Sequence, residues 1–485
     1  MMLSRSIVFY ALHALASVMC LRSQAQQTWR RTYGGYGTET ASSVQQVADG
    51  GYIVSGTCGS FGNGASDIYV LRLDPDGVPL WSKTYGTNGV EQGVGCRELN
   101  DGYIIAGSSS LGENGGYDML LIRTDLNGTV LWQREFGTAE WDLCNALETF
   151  DDGFLLGGVT YGNGAFAGQA YFVRTDLNGQ VLWTQQVEEP LGSSCRALSS
   201  SANGAFVAVG HVGTPGGMDD GYIAKYDMDG APDWSLVVGG DSTEQLDGVV
   251  LTEDGYVVAN GVTASENTFT QIYLVGVQLD GSLEWERFIG SMSDAWGTGV
   301  IEAHGSGFAI TGCNTLNLGE PDMIFTRTDD DGNFQVGNNF GDGRPAWGQA
   351  LSRTSDGGYV LAGWSEDYGP GLRSIYVVKT NGDGQTQSLT VTPYFDPVAV
   401  PEHHIMPNNA LLSSIIHPNE PLRFNKALVS DAQLTVVDGG GRIVDLGIVQ
   451  RGSSFIALPA LANGLYSLSI VQDAARSIQR FVVMQ

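Results

Sequence analysis

Tryptophan recurs along this chain with a period that few folds can satisfy. Trp29, Trp81, Trp132, Trp183, Trp234 and Trp285 are spaced by 52 and then 51 residues, and Phe334 continues the series 49 residues on. A second series runs between them. It comprises Asp49-Gly50-Gly51-Tyr52, Asp101-Gly102-Tyr103, Asp152-Gly153-Phe154, Asn203-Gly204-Ala205, Asp254-Gly255-Tyr256, Ser306-Gly307-Phe308 and Asp356-Gly357-Gly358-Tyr359, seven copies in all. Each copy resolves into four short runs of β-branched and aromatic residues separated by Gly, Asp and Pro, the chemistry of strands and turns. A four-strand unit of about 50 residues has the size of a propeller blade. The fold expected is all-β: a seven-bladed β-propeller of four-stranded blades over residues 26–384.

The phase of the repeat predicts how the ring closes. The last copy, from about Ala346 to Lys379, lacks its tryptophan strand, whereas Trp29 to Tyr33 is a spare one at the other end of the chain. Trp29–Tyr33 is therefore expected to complete the last blade and leave no open edge. Thr386–Thr392 is the competitor for that place. The periodic tryptophans are expected between adjacent sheets.

Charge narrows the partners. With 24 Lys and Arg against 53 Asp and Glu, the net charge of −29 argues against nucleic acid, whose phosphates need clustered cations. The acid belongs to the repeats, since residues 411–485 carry six basic and five acidic side chains. Residues 1–25 read as a signal peptide: Arg5, an apolar run from Ile7 to Met19, then Ser23-Gln24-Ala25 as the cleavage site. That run is too short to span a bilayer, and no later segment reaches transmembrane length. Beyond Cys20 five cysteines remain, an odd number, which fits buried small residues better than a disulfide framework.

Two acidic series were weighed for chemistry. Turns such as Asp74-Pro75-Asp76-Gly77, Asp125-Leu126-Asn127-Gly128 and Asp329-Asp330-Asp331-Gly332 resemble the start of a calcium loop, yet no glutamate recurs where a Ca2+ site would need it. They read as tight turns, with no cofactor expected and Ca2+ as the alternative. The second series, Glu39, Glu91, Asp142 and Glu244, falls five residues after each closing glycine, with Asp294 one step early in its own copy. On a propeller these positions would share one face near the channel mouth. Trp141, Trp296 and Trp347 lie beside them in only three copies and so break the repeat. A structural reading comes first for both groups, a cap for the repeated carboxylates and core filling for the three tryptophans. As a ligand-binding site, these eight residues are the candidate set. No catalytic residue is nominated: histidine is scarce, and no HExxH, GxSxG, phosphate loop or strand–helix GxGxxG occurs.

Residues 385–410 hold Pro393, Pro397, Pro401 and Pro407 and read as a linker. The following 75 residues alternate strands and turns and predict a small β-sandwich. Its landmarks are Pro418-Asn419-Glu420-Pro421, then Asp438-Gly439-Gly440-Gly441-Arg442, then Leu458 through Gly464-Leu465-Tyr466. In that order they resemble the type A C-terminal sorting domain of the Bacteroidetes type IX secretion system. Here Glu420 interrupts the first motif, and the final strand lacks the family's usual lysine, Arg480 being the nearest basic residue. The resemblance covers 411–485 and marks Pro418, Asn419, Asp438, Gly441, Arg442, Gly464 and Tyr466 as its motif positions. It implies periplasmic transit, recognition of the tail by the secretion machinery, and release or attachment at the cell surface. The repeats themselves resemble propeller repeats of exported proteins of that phylum. The expectation is a secreted or surface-attached, non-enzymatic binding or scaffold propeller, for a glycan or protein. An extracellular polysaccharide hydrolase or lyase working through carboxylates on one face is the alternative.

Overall fold

The computed structural model describes residues 26–395, apart from loop positions 163, 165–166, 202–203, 253, 267, 291, 317–318, 370 and 388–390. Beyond these it describes 415–416, 421–423, 431–438, 443–458, 461, 464–472 and 475–483. The proposed signal peptide and most of the linker lie outside the described residues, as do Pro418, Asn419, Gly441 and Arg442.

Seven antiparallel sheets follow one another along the chain. Blade 1 consists of β2 (Glu39–Gln46), β3 (Tyr52–Cys58), β4 (Asp67–Leu73) and β5 (Pro79–Tyr85), hydrogen-bonded in that order. Blades 2 to 6 repeat the pattern from β6 (Glu91–Leu99) through β25 (Phe334–Asn339). The first strands are β2, β6, β10 (Asp142–Phe150), β14 (Ser193–Ser200), β18 (Glu244–Leu251), β22 (Ala295–Glu302) and β26 (Ala346–Arg353). Each packs beside the next, and β26 returns to β2, so the ring is closed and these strands line its axis. The chain is a seven-bladed β-propeller.

The closure is the one read from the repeat phase. Blade 7 has β26, β27 (Tyr359–Ser365), β28 (Ser374–Thr380) and then β1 (Trp29–Gly34), antiparallel to β28 with Trp29 opposite Lys379 and Tyr33 opposite Ile375. The competing segment does not take that place. Instead β29 (Val391–Phe395) adds a fifth strand outside β1, parallel to it, so the sheet reaches into residues read as linker. Tyr394 stacks on Tyr33 at 5.6 Å.

The tryptophans sit between blades. Trp29, Trp81, Trp132, Trp183 and Trp285 each meet the aromatic of the next copy's turn series: Tyr52, Tyr103, Phe154, Phe206 and Phe308, at centroid distances of 5.7, 5.8, 6.4, 6.2 and 6.4 Å. The indole also lies over a turn glycine of the next blade. A Cβ on Gly179, which has φ of +73°, would come within 2.9 Å of Trp132. Glycine is required there twice over, for the left-handed backbone and for the space.

A polar repeat reinforces four of the blades. Arg72, Arg123, Arg174 and Lys379 are buried on the third strand and pair with the turn aspartates Asp49, Asp101, Asp152 and Asp356. The guanidinium also donates to main-chain carbonyls, as Arg123 Nη1 does to Tyr103 O at 3.1 Å. The buried cation is thus both paired and hydrogen-bonded, the condition for tolerating it.

The C-terminal module has a five-stranded sheet ordered β30 (Ile415–Ile416), β36 (Ala475–Val483), β35 (Gly464–Gln472), β32 (Ala432–Asp438), β33 (Ile443–Val449), and a two-stranded sheet of β31 (Leu422–Arg423) and β34 (Phe455–Ile456). Leu422 and Ile456 of the small sheet share a core with Leu434, Val436, Tyr466 and Leu468 of the large one. Asp438 and Tyr466, two of the resemblance positions, are cross-strand partners, and Gly464 opens β35.

Candidate functional site

Every first strand carries a β-bulge at the same place. Register shifts fall between Ala41 and Ser43, Gly93 and Gly95, Cys144 and Ala146, Cys195 and Ala197, Leu246 and Gly248, Gly297 and Gly299, and Gly348 and Ala350. The extra residue of a bulge is left unpaired, and its side chain is re-aimed. Here that residue is Ser42, Val94, Asn145, Arg196, Asp247, Thr298 or Gln349, and all seven line the axial channel. The backbone repeats sevenfold while the side chains do not repeat at all.

This ring divides the channel. After the bulges lies a cavity of about 700 Å³, lined by residues such as Arg97, Leu147, Leu198, Glu302 and Arg353. Before them lies one of about 760 Å³, lined by Thr40, Thr57, Gln92, Gln245, Trp296 and Trp347 among others. Within the second chamber chemistry is sorted by blade. Blades 1 to 3 supply hydroxyls and amides. Blades 4 and 5 supply Arg196 and Asp247, joined Nε to Oδ1 at 3.0 Å, with Gln245 Nε2 donating to the same Oδ1 at 2.5 Å. His211 on β15 (Phe206–Gly213) stands close enough to feel Asp219, Arg196 and Asp247, and burial holds its pKa below the usual histidine value.

Blades 6 and 7 supply aromatics. Trp296 and Trp347 lie 5.3 Å apart, and Trp347 stacks on its cross-strand partner Trp364 at 6.3 Å with a 17° angle. Arg373 caps the row, its guanidinium 4.1 Å from the Trp364 ring centre and its Nε 2.9 Å from Glu366.

The structure thus brings together two of the eight candidate residues, Trp296 and Trp347. Trp141 is not among the residues lining this chamber; it is exposed and makes an edge contact with Tyr117 at 5.4 Å. The acidic series is placed at the first-strand starts as expected, but its carboxylates are turned inward. Glu39, Glu91, Asp142 and Glu244 are at most 1% exposed. Each accepts the main-chain N–H four residues earlier: Gly35 at 2.9 Å, Thr87 at 2.9 Å, Thr138 at 2.6 Å and Gly240 at 2.8 Å. Asp294 instead receives N–H and Oγ1 of Thr270 at 2.9 and 3.0 Å. These carboxylates pin the crossings between blades. The reading of a carboxylate ring open to the channel is corrected in that respect, because each blade crossing leaves main-chain donors that need a buried acceptor.

Sequence reasoning missed Trp364, Arg196 and Asp247. Trp364 occurs in one copy, on a second strand, where no repeat drew attention to it. Arg196 and Asp247 do sit 51 residues apart. Strand alternation gives no hint that both face the axis, since the bulge shifts the phase.

The blade crossings have an electrostatic consequence. Asp67 is 1% exposed, and its Oδ2 accepts from Asn63 and Gly64 at 3.0 and 3.3 Å. Its other oxygen approaches Glu91: a Cβ on Gly86 would lie 2.1 Å from Asp67 Oδ1 and 2.5 Å from Glu91 Oε2. Burial, and secondarily the Glu91 charge, pushes the Asp67 pKa up to about 6. The folded chain therefore holds this proton more tightly than the unfolded one. The contribution to stability is full below about pH 4 and is lost as pH rises through about 6, a swing of up to roughly 3 kcal/mol. Blade 3 shows the neutral solution, with Ser193 Oγ donating to Gln169 Oε1 at 3.1 Å in the equivalent place. Asp67→Asn is expected to raise the melting temperature at pH 7.5 and to change it little at pH 4. Equal destabilisation at both values would show that the anion is favourable.

The turn series behaves as turns. Asp125 Oδ1 accepts from Asn127 and Thr129 N–H, both at 2.8 Å, and Asp176 does the same with Asn178 and Gln180. These bonds hold both carboxyls below the usual range. Among the described residues no group of three or more His, Cys, Asp or Glu is placed to hold a metal ion. Cys58, Cys96, Cys144, Cys195 and Cys313 are buried and unpaired as disulfides.

No protein-family model matches the chain, and no curated protein does. Solved structures do. It is similar to Sqt1 from Chaetomium thermophilum, at 10% identity and a TM-score of 0.43 over 74% of this chain and 99% of that one. It is also similar to the β-propeller domain of the Trilobed protease from Pyrococcus furiosus, at 14% identity and 0.43 over 73% and 96%. A glucose dehydrogenase matches at 10% identity and 0.37 over 71% and 97%. At these identities the likeness concerns the fold, and no activity passes with it.

Proposed function

We propose that this protein is an extracellular, non-enzymatic binding propeller whose ligand sits in the tryptophan-bearing axial chamber. The observation that carries the reading is the contrast between symmetric backbone and asymmetric chamber. A scaffold needs only the repeat, whereas here the seven bulge residues all differ, and two blades contribute exposed indole surface. Pockets that combine aromatic walls with a few convergent polar groups are the usual places of ligand binding.

The carboxylate-based hydrolase alternative needs two carboxylates at one opening. The repeated acids are buried in blade crossings, and Asp247, the acid lining this chamber, is tied to Arg196. That distribution favours binding over turnover. Screening the mature chain against immobilised glycans and proteins, with product analysis of each hit, is expected to give binding without cleavage. Released product would overturn the non-enzymatic reading.

The delivery route is part of the proposal. Support comes from the signal-peptide pattern, the ordered motifs of the tail, and the pairing of Asp438 with Tyr466 in a small two-sheet module. Among the described residues no helix is long and apolar enough to cross a membrane. Deleting residues 411–485 is expected to strand the propeller in the periplasm. Surface delivery of that truncation would refute recognition of the tail by a type IX machinery.

A further inference from the structure

We infer that the ligand of the axial chamber is a neutral carbohydrate, with a sugar ring lying against Trp296 and Trp347; this deepens the chamber reading and rests on it. The first ground is the indole pair. Both rings line the cavity, both are only partly buried, and they are held 5.3 Å apart at 35°. Trp347 also stacks on Trp364, which the Arg373 guanidinium covers in turn. A rigid aromatic wall that lines the cavity suits the C–H face of a pyranose. It loses little conformational entropy on binding, because each indole has only two torsions.

The second ground is what faces the wall. Gln92 and Gln349 line the same chamber and offer both a donor and an acceptor apiece. Asp247 takes its bonds from Arg196 and Gln245 on Oδ1, which leaves Oδ2 to accept from a ligand hydroxyl beside the guanidinium. A cation and an anion side by side match a vicinal diol, which donates and accepts at once.

The third ground is charge. A cationic ligand would meet Arg196 in the chamber and Arg373 behind the wall, where an aromatic cage for ammonium would need none. A polyanion would approach a chain of net charge −29 against its field. The Arg196–Asp247 pair leaves the chamber itself close to neutral. A neutral, hydroxyl-rich ligand with one apolar face satisfies all three conditions.

The test uses the mature full-length chain and its tryptophan emission. Cellohexaose, xylohexaose, mannohexaose and laminarihexaose are titrated in parallel with polygalacturonate and with a neutral peptide mixture. One of the neutral hexasaccharides is expected to change the emission saturably. Its affinity should fall at least tenfold in Trp347→Ala and in Asp247→Asn, and remain unchanged in Trp141→Ala. Trp347→Phe, which keeps an aromatic wall, should retain most of the binding and guards against a folding defect in the alanine variant. Binding of polygalacturonate or peptide, lost in Trp347→Ala, would overturn the carbohydrate class while the chamber stands. A hexasaccharide bound equally well by Trp347→Ala and Asp247→Asn would overturn the chamber as its site. Absence of binding to all four hexasaccharides would overturn the inference.

Discussion

Removing residues 29–34 is expected to lower the melting temperature by more than about 10 °C, or to prevent folding altogether. The segment lies some 340 residues from its partner strand in sequence, yet it supplies the outer strand of blade 7. Tyr33 is fully buried, and Trp29 is 6% exposed. Losing one large buried aromatic commonly costs about 3–5 kcal/mol, so two approach the whole net stability of a typical domain. The strand also links two blades. It pairs with β28, while Trp29 packs on Tyr52 and Tyr33 Oη donates to Gly77 O at 2.7 Å, both in blade 1. Without it the edge of β28 is open to other chains, and the truncated protein should aggregate as well as melt early. A truncation that melts within a few degrees of the intact chain would mean that β29, or nothing, closes the ring.

The second large effect concerns one tryptophan among six. Trp285→Ala is expected to cost about 3–5 kcal/mol, measured by denaturant unfolding, whereas Phe334→Ala should cost less than about 1 kcal/mol. The sheet register corrects the sequence expectation that Phe334 continues the tryptophan series. Val336, opposite Arg327, holds that position in blade 6, and Phe334 stands two residues earlier, opposite Thr328. Trp285 is 8% exposed and Phe334 57%. The difference has a visible cause. Blade 5 has Gly276 where other blades have the buried arginine or lysine, and the indole folds over it: a Cβ there would lie 2.3 Å from Trp285. Trp285 also contacts Tyr256 and Phe308 and carries Arg287 over its ring. Equal costs at both positions would show that burial between blades does not set the cost of losing an aromatic side chain here.

These two cases show what a repeat makes legible and what it hides. Ring closure could be read from phase alone, because a missing strand at one end and a spare one at the other leave a single arrangement without an open edge. The packing of Trp29 on Tyr52 followed from the same phase. The third-strand cations could have been read too: Arg72, Arg123, Arg174 and Lys379, which pair with turn aspartates, keep step with the period, as do Lys225 and Arg327. Attention to the turn aspartates as local caps concealed their partner on the third strand. The acidic series sits at the first-strand starts, and its buried carboxylates take the structural role that their repetition favours. Whether Glu39 faces the channel or the blade crossing depends on donors such as Gly35 N, whose need arises only once the backbone turns.

The chamber was the least legible part. Its ring sits on bulges, where two residues oppose one and the alternation of inward and outward side chains is interrupted. Nothing about Ser42 or Val94 as residue types announces a bulge. The aromatic row needed Trp364, which enters from the second strand as the cross-strand partner of Trp347. Only the sheet register brings the two together.

Function is placed at the axis of the ring, and Ser42 gives the most direct test. It lines both chambers at their common waist, with its side chain partly exposed. Ser42→Trp should therefore obstruct the channel, since Ser42 is a bulge residue that belongs to none of the blade cores. The measurement is the affinity of this variant for any ligand found with the intact chain, alongside its melting temperature. The account expects binding to be lost while melting stays within a few degrees of the parent. Undiminished binding by the obstructed propeller would contradict it and move the ligand to another surface.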